Sequence, residues 1–251
     1  MSLSPHIGNM VHDRERHLSD WALMAGSGGG IGRAVVDALL ATGTKVVGYD
    51  RFPSRDPRLA GEIEAAGASR KAVRAALAPT LAELGAPAIG VVCLGTYRRI
   101  PFADYDDETF DEIFADNFKA AFWIAQALVE AMAPAGAGRL ILVSSQAAAT
   151  GAADAAYAAA KAATVALGKS LARDYGPSGL RINVVAPGPV HTPMSAGAMS
   201  PERMKFYEDQ IPIRRFSSAD EVAAVIAFLA TGPCGSVNGA TFDVDGGLVR
   251  R

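Results

Sequence analysis

Only two cysteines, Cys93 and Cys234, and four histidines occur among the 251 residues. The cysteines show no metal-ligand spacing and no disulfide framework. They read as small core hydrophobes in a chain suited to the reducing cytoplasm. No apolar run is long enough to span a bilayer, so no membrane partner is expected. The formal net charge is -2, and so small an excess of one sign gives no reason to expect nucleic acid or an anionic surface. No period of roughly 20–50 residues marks a solenoid. Residues 1–20 are polar and lack the apolar stretch of a secretory signal. They read as an N-terminal arm or tail in which His6, His12 and His17 are solvated rather than metal-binding. No metal is expected.

What the chain does have is apolar material: half of its residues are hydrophobic, enough for a sizeable core in one large α/β domain. Short apolar runs at Trp21–Ala25, Thr44–Tyr49, Ile89–Leu94, Arg139–Ser144, Arg181–Ala186 and Thr241–Val244 read as strands. Helical spacing falls at Ile31–Ala41, Arg70–Leu84, Glu108–Ala133, Asp154–Tyr175 and Ala219–Ala230, the last with a serine pair in front as a cap. The stretch from Phe52 to Ser69 offers a third strand within Gly61–Ala65, although it reads equally as helix. Alternation of this kind implies a doubly wound parallel sheet, three layers α/β/α, over residues 21–251 as a single domain. Ligands bind such a sheet beyond the carboxyl ends of its strands, where the strand order reverses.

Between the first strand and the first helix runs Gly26-Ser27-Gly28-Gly29-Gly30-Ile31-Gly32. Without a Cβ, Gly26, Gly30 and Gly32 let the chain turn tightly and let backbone approach a pyrophosphate. The helix that follows aims its free N–H groups and positive dipole end at the phosphates. With a strand before it and a helix after it, the turn marks a Rossmann-like dinucleotide site. Asp50 ends the second strand. A carboxylate there accepts hydrogen bonds from an adenosine ribose diol and repels the extra phosphate of NADP. NAD(H) is therefore favoured; Arg51, next in the chain, softens the discrimination and keeps NADP(H) possible.

Tyr157 and Lys161 are four apart on a helical pattern and share a face. Ser144 and Ser145 end a strand 12 or 13 residues earlier, near the expected nicotinamide. A tyrosine with a pKa of about 10 is a poor base at neutral pH. A neighbouring ammonium and a cationic nicotinamide both favour its phenolate. Tyr157 then removes or returns an alcohol proton as hydride moves, a serine hydroxyl holds the substrate oxygen, and Lys161 also binds the nicotinamide ribose.

The motifs together resemble those of the single-domain short-chain dehydrogenase/reductases: Gly26-x-x-x-Gly30-Ile31-Gly32, Asn117, the serine before Tyr157-x-x-x-Lys161, Pro187-Gly188 with Thr192, and Asp245-Gly246-Gly247. The resemblance spans nearly all of the chain after Asp20. It implies an oxidoreductase acting on a small secondary alcohol or ketone. Asn117 then holds a water in a proton relay, Val190 and Thr192 meet the nicotinamide carboxamide, and Gly95 keeps a close backbone approach to the cofactor. Ser145 is implied as the substrate-positioning serine, because Val143-Ser144-Ser145 matches the family's strand end; the usual spacing selects Ser144, so the loop Gly151–Ala155 is taken to be one residue short. A homotetramer built on the helices carrying Asn117 and Tyr157 is also implied. Two departures stand out. Val92-Cys93-Leu94-Gly95 replaces the family's Asn-Asn-Ala-Gly, and Ala66-Gly67-Ala68 lacks an aspartate for adenine.

Thr96–Arg99, Gln146–Asp154 and His191–Ile213 are expected to wall the substrate. Met194, Met199, Met204 and Phe206 in the last read first as helix packing. Arg98 and Arg99 read first as a solvated basic pair, with contact to an acidic substrate group as the alternative. Two other functions compete. Gly26-x-x-Gly29-x-x-Gly32 also fits an epimerase or dehydratase, though such enzymes usually carry a longer carboxyl-terminal substrate domain. A non-catalytic dinucleotide-binding protein is the other; such proteins often lack the tyrosine or the lysine.

Overall fold

Apolar runs this short are stable as strands only when both faces are covered, and the chain arranges seven of them so. A computed structural model describes residues 20–67, 69–192 and 200–249; the expected arm over residues 1–19, Ala68, Met194 and Met199 lie outside the described residues. The strands are β1 (Trp21–Ala25), β2 (Lys45–Asp50), β3 (Gly61–Glu64), β4 (Ile89–Val92), β5 (Gly138–Val143), β6 (Leu180–Pro187), β7 (Val190–His191), β8 (Ser217–Ser218) and β9 (Thr241–Val244). The main sheet runs β3-β2-β1-β4-β5-β6-β9, and β7 and β8 form a separate small pair. Every neighbouring pair in the main sheet is parallel. All residues of β1 and β4 are buried, as a parallel sheet covered on both faces requires.

The helices are α1 (Gly30–Ala41), α2 (Arg70–Leu84), α3 (Asp107–Phe114), α4 (Ala120–Met132), α5 (Ala155–Tyr175), α6 (Pro201–Gln210) and α7 (Ala219–Thr231). Val35 and Leu39 of α1 join Val222 and Ile226 of α7 on one face of the sheet. Leu77 of α2 and Ile124 and Leu128 of α4 cover the other. The alanine-rich α5 lies close on β6: a Cβ at Gly168 would stand 2.5 Å from Val184 Cγ2. The chain builds outward through β2 and β3, then returns to β4 on the far side of β1. That reversal opens a crevice beyond the carboxyl ends of β1 and β4.

Three sequence expectations need correction. Glu108–Ala133 is two helices joined by a π turn at Ala115–Lys119, where the Ala120 N–H reaches back to the Ala115 carbonyl. One extra residue in a turn leaves the apolar spacing on either side intact, so the pattern hides it. The alanine-rich stretch Ala147–Ala163, whose composition and apolar spacing read as packed helix, is also interrupted. A single helical turn at Ala147–Thr150 ends on Gly151 in a left-handed conformation, and Asp154 then caps α5. Finally, Phe206, expected as helix packing, is exposed on α6, which lies inside the His191–Ile213 stretch expected to wall the substrate. Ser200 caps it and Pro201 starts it, but none of its residues is buried, so no apolar stripe announced it. The ambiguous segment at Gly61–Glu64 is a strand, paired with β2.

Candidate active site

The turn from β1 into α1 leaves no room for side chains. Gly26 sits at φ +90, and a Cβ there would fall 2.1 Å from the Cys93 carbonyl oxygen. One at Gly32 would fall 1.8 Å from the Gly26 carbonyl oxygen. α1 opens after Gly29 with no side-chain cap, so its first N–H groups suit a phosphate. The residues present thus fit a dinucleotide: a backbone cradle without Cβ atoms leads into a bare helix start. Asp50 accepts from the Gly28 N–H at 2.9 Å and the Phe52 N–H at 2.9 Å. A Cβ on Gly28 would stand 2.5 Å from the Phe52 carbonyl oxygen and 3.3 Å from the Asp50 carboxylate. Sequence reasoning gave Gly28 no role; its signal was simply another glycine in the run. Arg51 pairs with Asp116 at 2.6 Å.

Tyr157 lies in the first turn of α5, which Asp154 fixes. The Asp154 carboxylate is fully buried and accepts from the Tyr157 N–H at 2.9 Å, the Tyr105 hydroxyl at 2.5 Å and the Arg98 N–H at 3.3 Å. Asp154 had been placed only at the start of a helix; an acid three residues before Tyr157 was the signal for its capping role. The Tyr157 ring meets Tyr97 edge-on, centroids 5.1 Å apart, and lies 5.8 Å from Lys161 Nζ. Although part of the ring is exposed, burial around its hydroxyl pushes the Tyr157 pKa above the usual tyrosine value, and a hydrogen bond with Ser145 works the other way. Burial also pulls Lys161 down to about 8. Among the chain's own groups, desolvation prevails at the Tyr157 phenol.

The two serines part company. Ser144 donates to the Lys161 carbonyl at 2.7 Å, which ties its hydroxyl to helix backbone. Ser145 meets the Tyr157 phenol instead and accepts from the Ala147 N–H at 3.2 Å.

Lys161 donates to the Leu94 carbonyl at 2.7 Å and the Val143 carbonyl at 3.4 Å. Two residues beyond Leu94, Thr96 is clasped by Asn117, whose Oδ1 accepts from the Thr96 N–H at 3.1 Å. The Asn117 Nδ2 donates to the Thr96 and Ile113 carbonyls, each at 3.0 Å. Backbone thus occupies both Nδ2 protons of this buried side chain. Gly95 lies between the two groups. A Cβ there would be 2.4 Å from Asn117 Oδ1 and 3.0 Å from Lys161 Nζ. Its missing side chain makes room for protein as well as for a ligand.

A single cleft of about 640 Å³ joins these parts. It runs from Gly30, Ile31 and Gly32 past Gly95, Ser145, Tyr157 and Lys161 to Pro187, Gly188, Val190 and Thr192. Gly26, Asp50 and Asn117 are not among its lining residues. Tyr97, Arg99, Arg203 and Tyr207 line its far end. Arg98 turns away to Glu112 at 2.6 Å, and exposed His191 meets Phe216. A smaller cavity of about 200 Å³ beside Trp21, Lys45 and Leu84 holds none of the expected site residues. Among the described residues, no helix is long and apolar enough to cross a membrane.

The chain as a whole is similar to known proteins. The family described as enoyl-(acyl carrier protein) reductase matches residues 25–249. The 3-oxoacyl-[acyl-carrier-protein] reductase FabG of Salmonella typhimurium is 32% identical over 235 residues, 90% of this chain and 96% of that protein. The D-threitol dehydrogenase of Mycolicibacterium smegmatis is 32% identical over 238 residues, 90% and 91% of the two chains. A solved structure from Beutenbergia cavernae with NADP bound at low occupancy superposes with a TM-score of 0.86 at 26% identity, covering 92% of this chain and 97% of that one.

Proposed function

The chain belongs to the short-chain dehydrogenase/reductase family, and on that premise we propose that it oxidises a secondary alcohol, or reduces the ketone, with Tyr157 as general acid/base. One observation carries this reading: Tyr157, Ser145 and Lys161 line the cleft that begins at the glycine turn. When bound, the nicotinamide dinucleotide takes or gives a hydride at its ring carbon and, oxidised, brings a positive charge beside the phenol. Ser145 holds the substrate oxygen, and Tyr157 takes or returns its proton. Lys161 holds the nicotinamide ribose and favours the phenolate. Asn117 acts through others: it fixes the loop whose Leu94 carbonyl holds Lys161, and it retains the water contact that the family resemblance implies. Gly26, Gly30, Ile31, Gly32 and Gly95 take the dinucleotide's phosphates and ribose side; Pro187, Gly188, Val190 and Thr192 take the carboxamide side.

NAD(H) is the favoured cofactor. Asp50 stands at the end of β2, and its neighbour Arg51 is engaged by Asp116 rather than free for a ribose phosphate. The Beutenbergia structure holds NADP, so NADP(H) is the second reading. The thiols of Cys93 and Cys234 are free, which suits a reducing cytoplasm. Assembly as a homotetramer through α4 and α5 completes the proposal.

The test is a spectrophotometric screen of secondary alcohols and ketones with NAD(H) and NADP(H) in parallel. Net redox turnover is expected, with NAD(H) favoured roughly tenfold or more. Isomerised or dehydrated product without net redox change would favour an epimerase or dehydratase. Tight dinucleotide binding without turnover on any substrate would make the chain a binding protein.

A further inference from the structure

At the end of the cleft beyond Tyr157, two arginines have no acidic partner among the described residues, and we infer that Arg99 and Arg203 clamp an anionic group, carboxylate or phosphate, on the substrate. This rests on the oxidoreductase reading and names its substrate class.

Arg98 and Arg99 look alike in the sequence but differ in the fold. Arg98 is paired with Glu112 on the surface. Arg99 lines the cleft and has no ion pair among the described residues. Its Nε is buried with no hydrogen-bond partner, a costly state that an acceptor on a ligand relieves. Its backbone is left-handed, at φ 58, which a residue with a side chain seldom adopts without compensation.

Arg203 reaches the same end from α6. Its guanidinium donates to the Tyr207 hydroxyl at 3.3 Å and lies over that ring, 5.6 Å from the centroid. The tyrosine steadies the group without neutralising it. Arg99 and Arg203 line the same cleft as Tyr97, and both charges bear on the Tyr97 phenol. Asp154, the carboxylate that also acts on Tyr97, is engaged by Tyr105 and by the start of α5. Tyr97 in turn touches Tyr157. An anion held between the two guanidinium groups therefore shares the cleft with Tyr157, on the side where Tyr97 meets its ring. That fits a hydroxy acid or hydroxyalkyl phosphate whose carbinol carbon is a few bonds from the charge.

The reaction balances on such a substrate. The carbinol C–H bond breaks as hydride passes to the oxidised nicotinamide dinucleotide. The O–H proton goes to Tyr157, and a C=O bond forms. The alcohol is oxidised and the dinucleotide reduced, while the distant anion is unchanged.

The experiment uses two matched pairs with NADH and NADPH: 4-oxopentanoate against 4-oxopentanamide, and dihydroxyacetone phosphate against dihydroxyacetone. One anionic member is expected to exceed its neutral partner in kcat/KM by about tenfold or more, and the pair in which it does so identifies carboxylate or phosphate. Arg99→Gln and Arg203→Gln should each lower that ratio about tenfold, mainly through KM, while Arg99→Lys retains part of it. Calorimetric binding of both anions to the protein without dinucleotide gives a readout independent of turnover. It should weaken in the glutamine variants, whose folding is checked by thermal melting. Equal kcat/KM within both pairs, or a ratio that survives both substitutions, overturns the clamp. If no probe turns over, the oxidoreductase reading fails, and binding alone decides the clamp: an anion bound by the wild type and lost in Arg99→Gln upholds it, and binding of neither anion overturns it.

Discussion

At one end of the cleft the wall is backbone; at the other it is side chain. The glycine turn works because Gly26 and Gly32 exclude everything beyond Cα, with carbonyl oxygens where Cβ atoms would otherwise stand. The opposite end is built from Tyr97, Arg99, Arg203 and Tyr207. A dinucleotide phosphate meets N–H groups that any sequence supplies once the chain can bend there. A substrate meets chemistry that only particular side chains supply. The first end is accordingly strict about residue type, and the second is free to vary.

Substitutions can break this contrast or sharpen it. Tyr157, where the two ends meet, gives the largest expected effect. Tyr157→Phe should lower turnover about 10²–10⁴-fold while the dissociation constant for dinucleotide, followed by fluorescence titration, stays close to that of the wild type. Equal losses in binding and turnover would assign the hydroxyl to the cofactor end instead. Next comes Gly32→Ala. Its Cβ would meet the Gly26 carbonyl, so stability in urea denaturation should fall by roughly 3 kcal/mol or more. A loss below about 1 kcal/mol would mean that the turn yields and is not strict. The smallest effect is at Arg98→Ala. The Arg98–Glu112 pair is exposed, so its removal should change stability by less than about 0.5 kcal/mol. It should leave the preference between 4-oxopentanoate and 4-oxopentanamide unchanged, unlike substitution of the adjacent Arg99.

The same contrast explains what could be read without coordinates. The glycine spacing, Asp50 at a strand end and the Tyr157–Lys161 pair were legible because fixed intervals along regular elements place them. The parallel, doubly wound sheet followed from the alternation of apolar runs with helical stretches. The π turn around Asn117 was not legible, since it adds one residue without disturbing the flanking pattern. Spacing and the strand-end match point to different serines, and neither could show that the Ser144 hydroxyl is held by the Lys161 carbonyl. The roles of Asp154 and Gly95 depend on groups 49 and 22 positions away, Tyr105 and Asn117, which no local pattern connects. The difference between Arg98 and Arg99 depends on one left-handed residue, and the sequence carries no glycine or asparagine there to mark it.

Burial raises the Tyr157 phenol and lowers the Lys161 amine, so the proposed role of Tyr157 as general base requires charge placed beside the ring. The most direct measurement is the pH dependence of kcat/KM for alcohol oxidation in the wild type and in Lys161→Met. The wild-type rate should rise with pH through an apparent pKa below the usual tyrosine value of about 10, as the set of groups gives up a proton. In Lys161→Met that rise should move upward by about one pH unit or more. Superimposable profiles for the two proteins would contradict a phenol poised by its neighbouring ammonium.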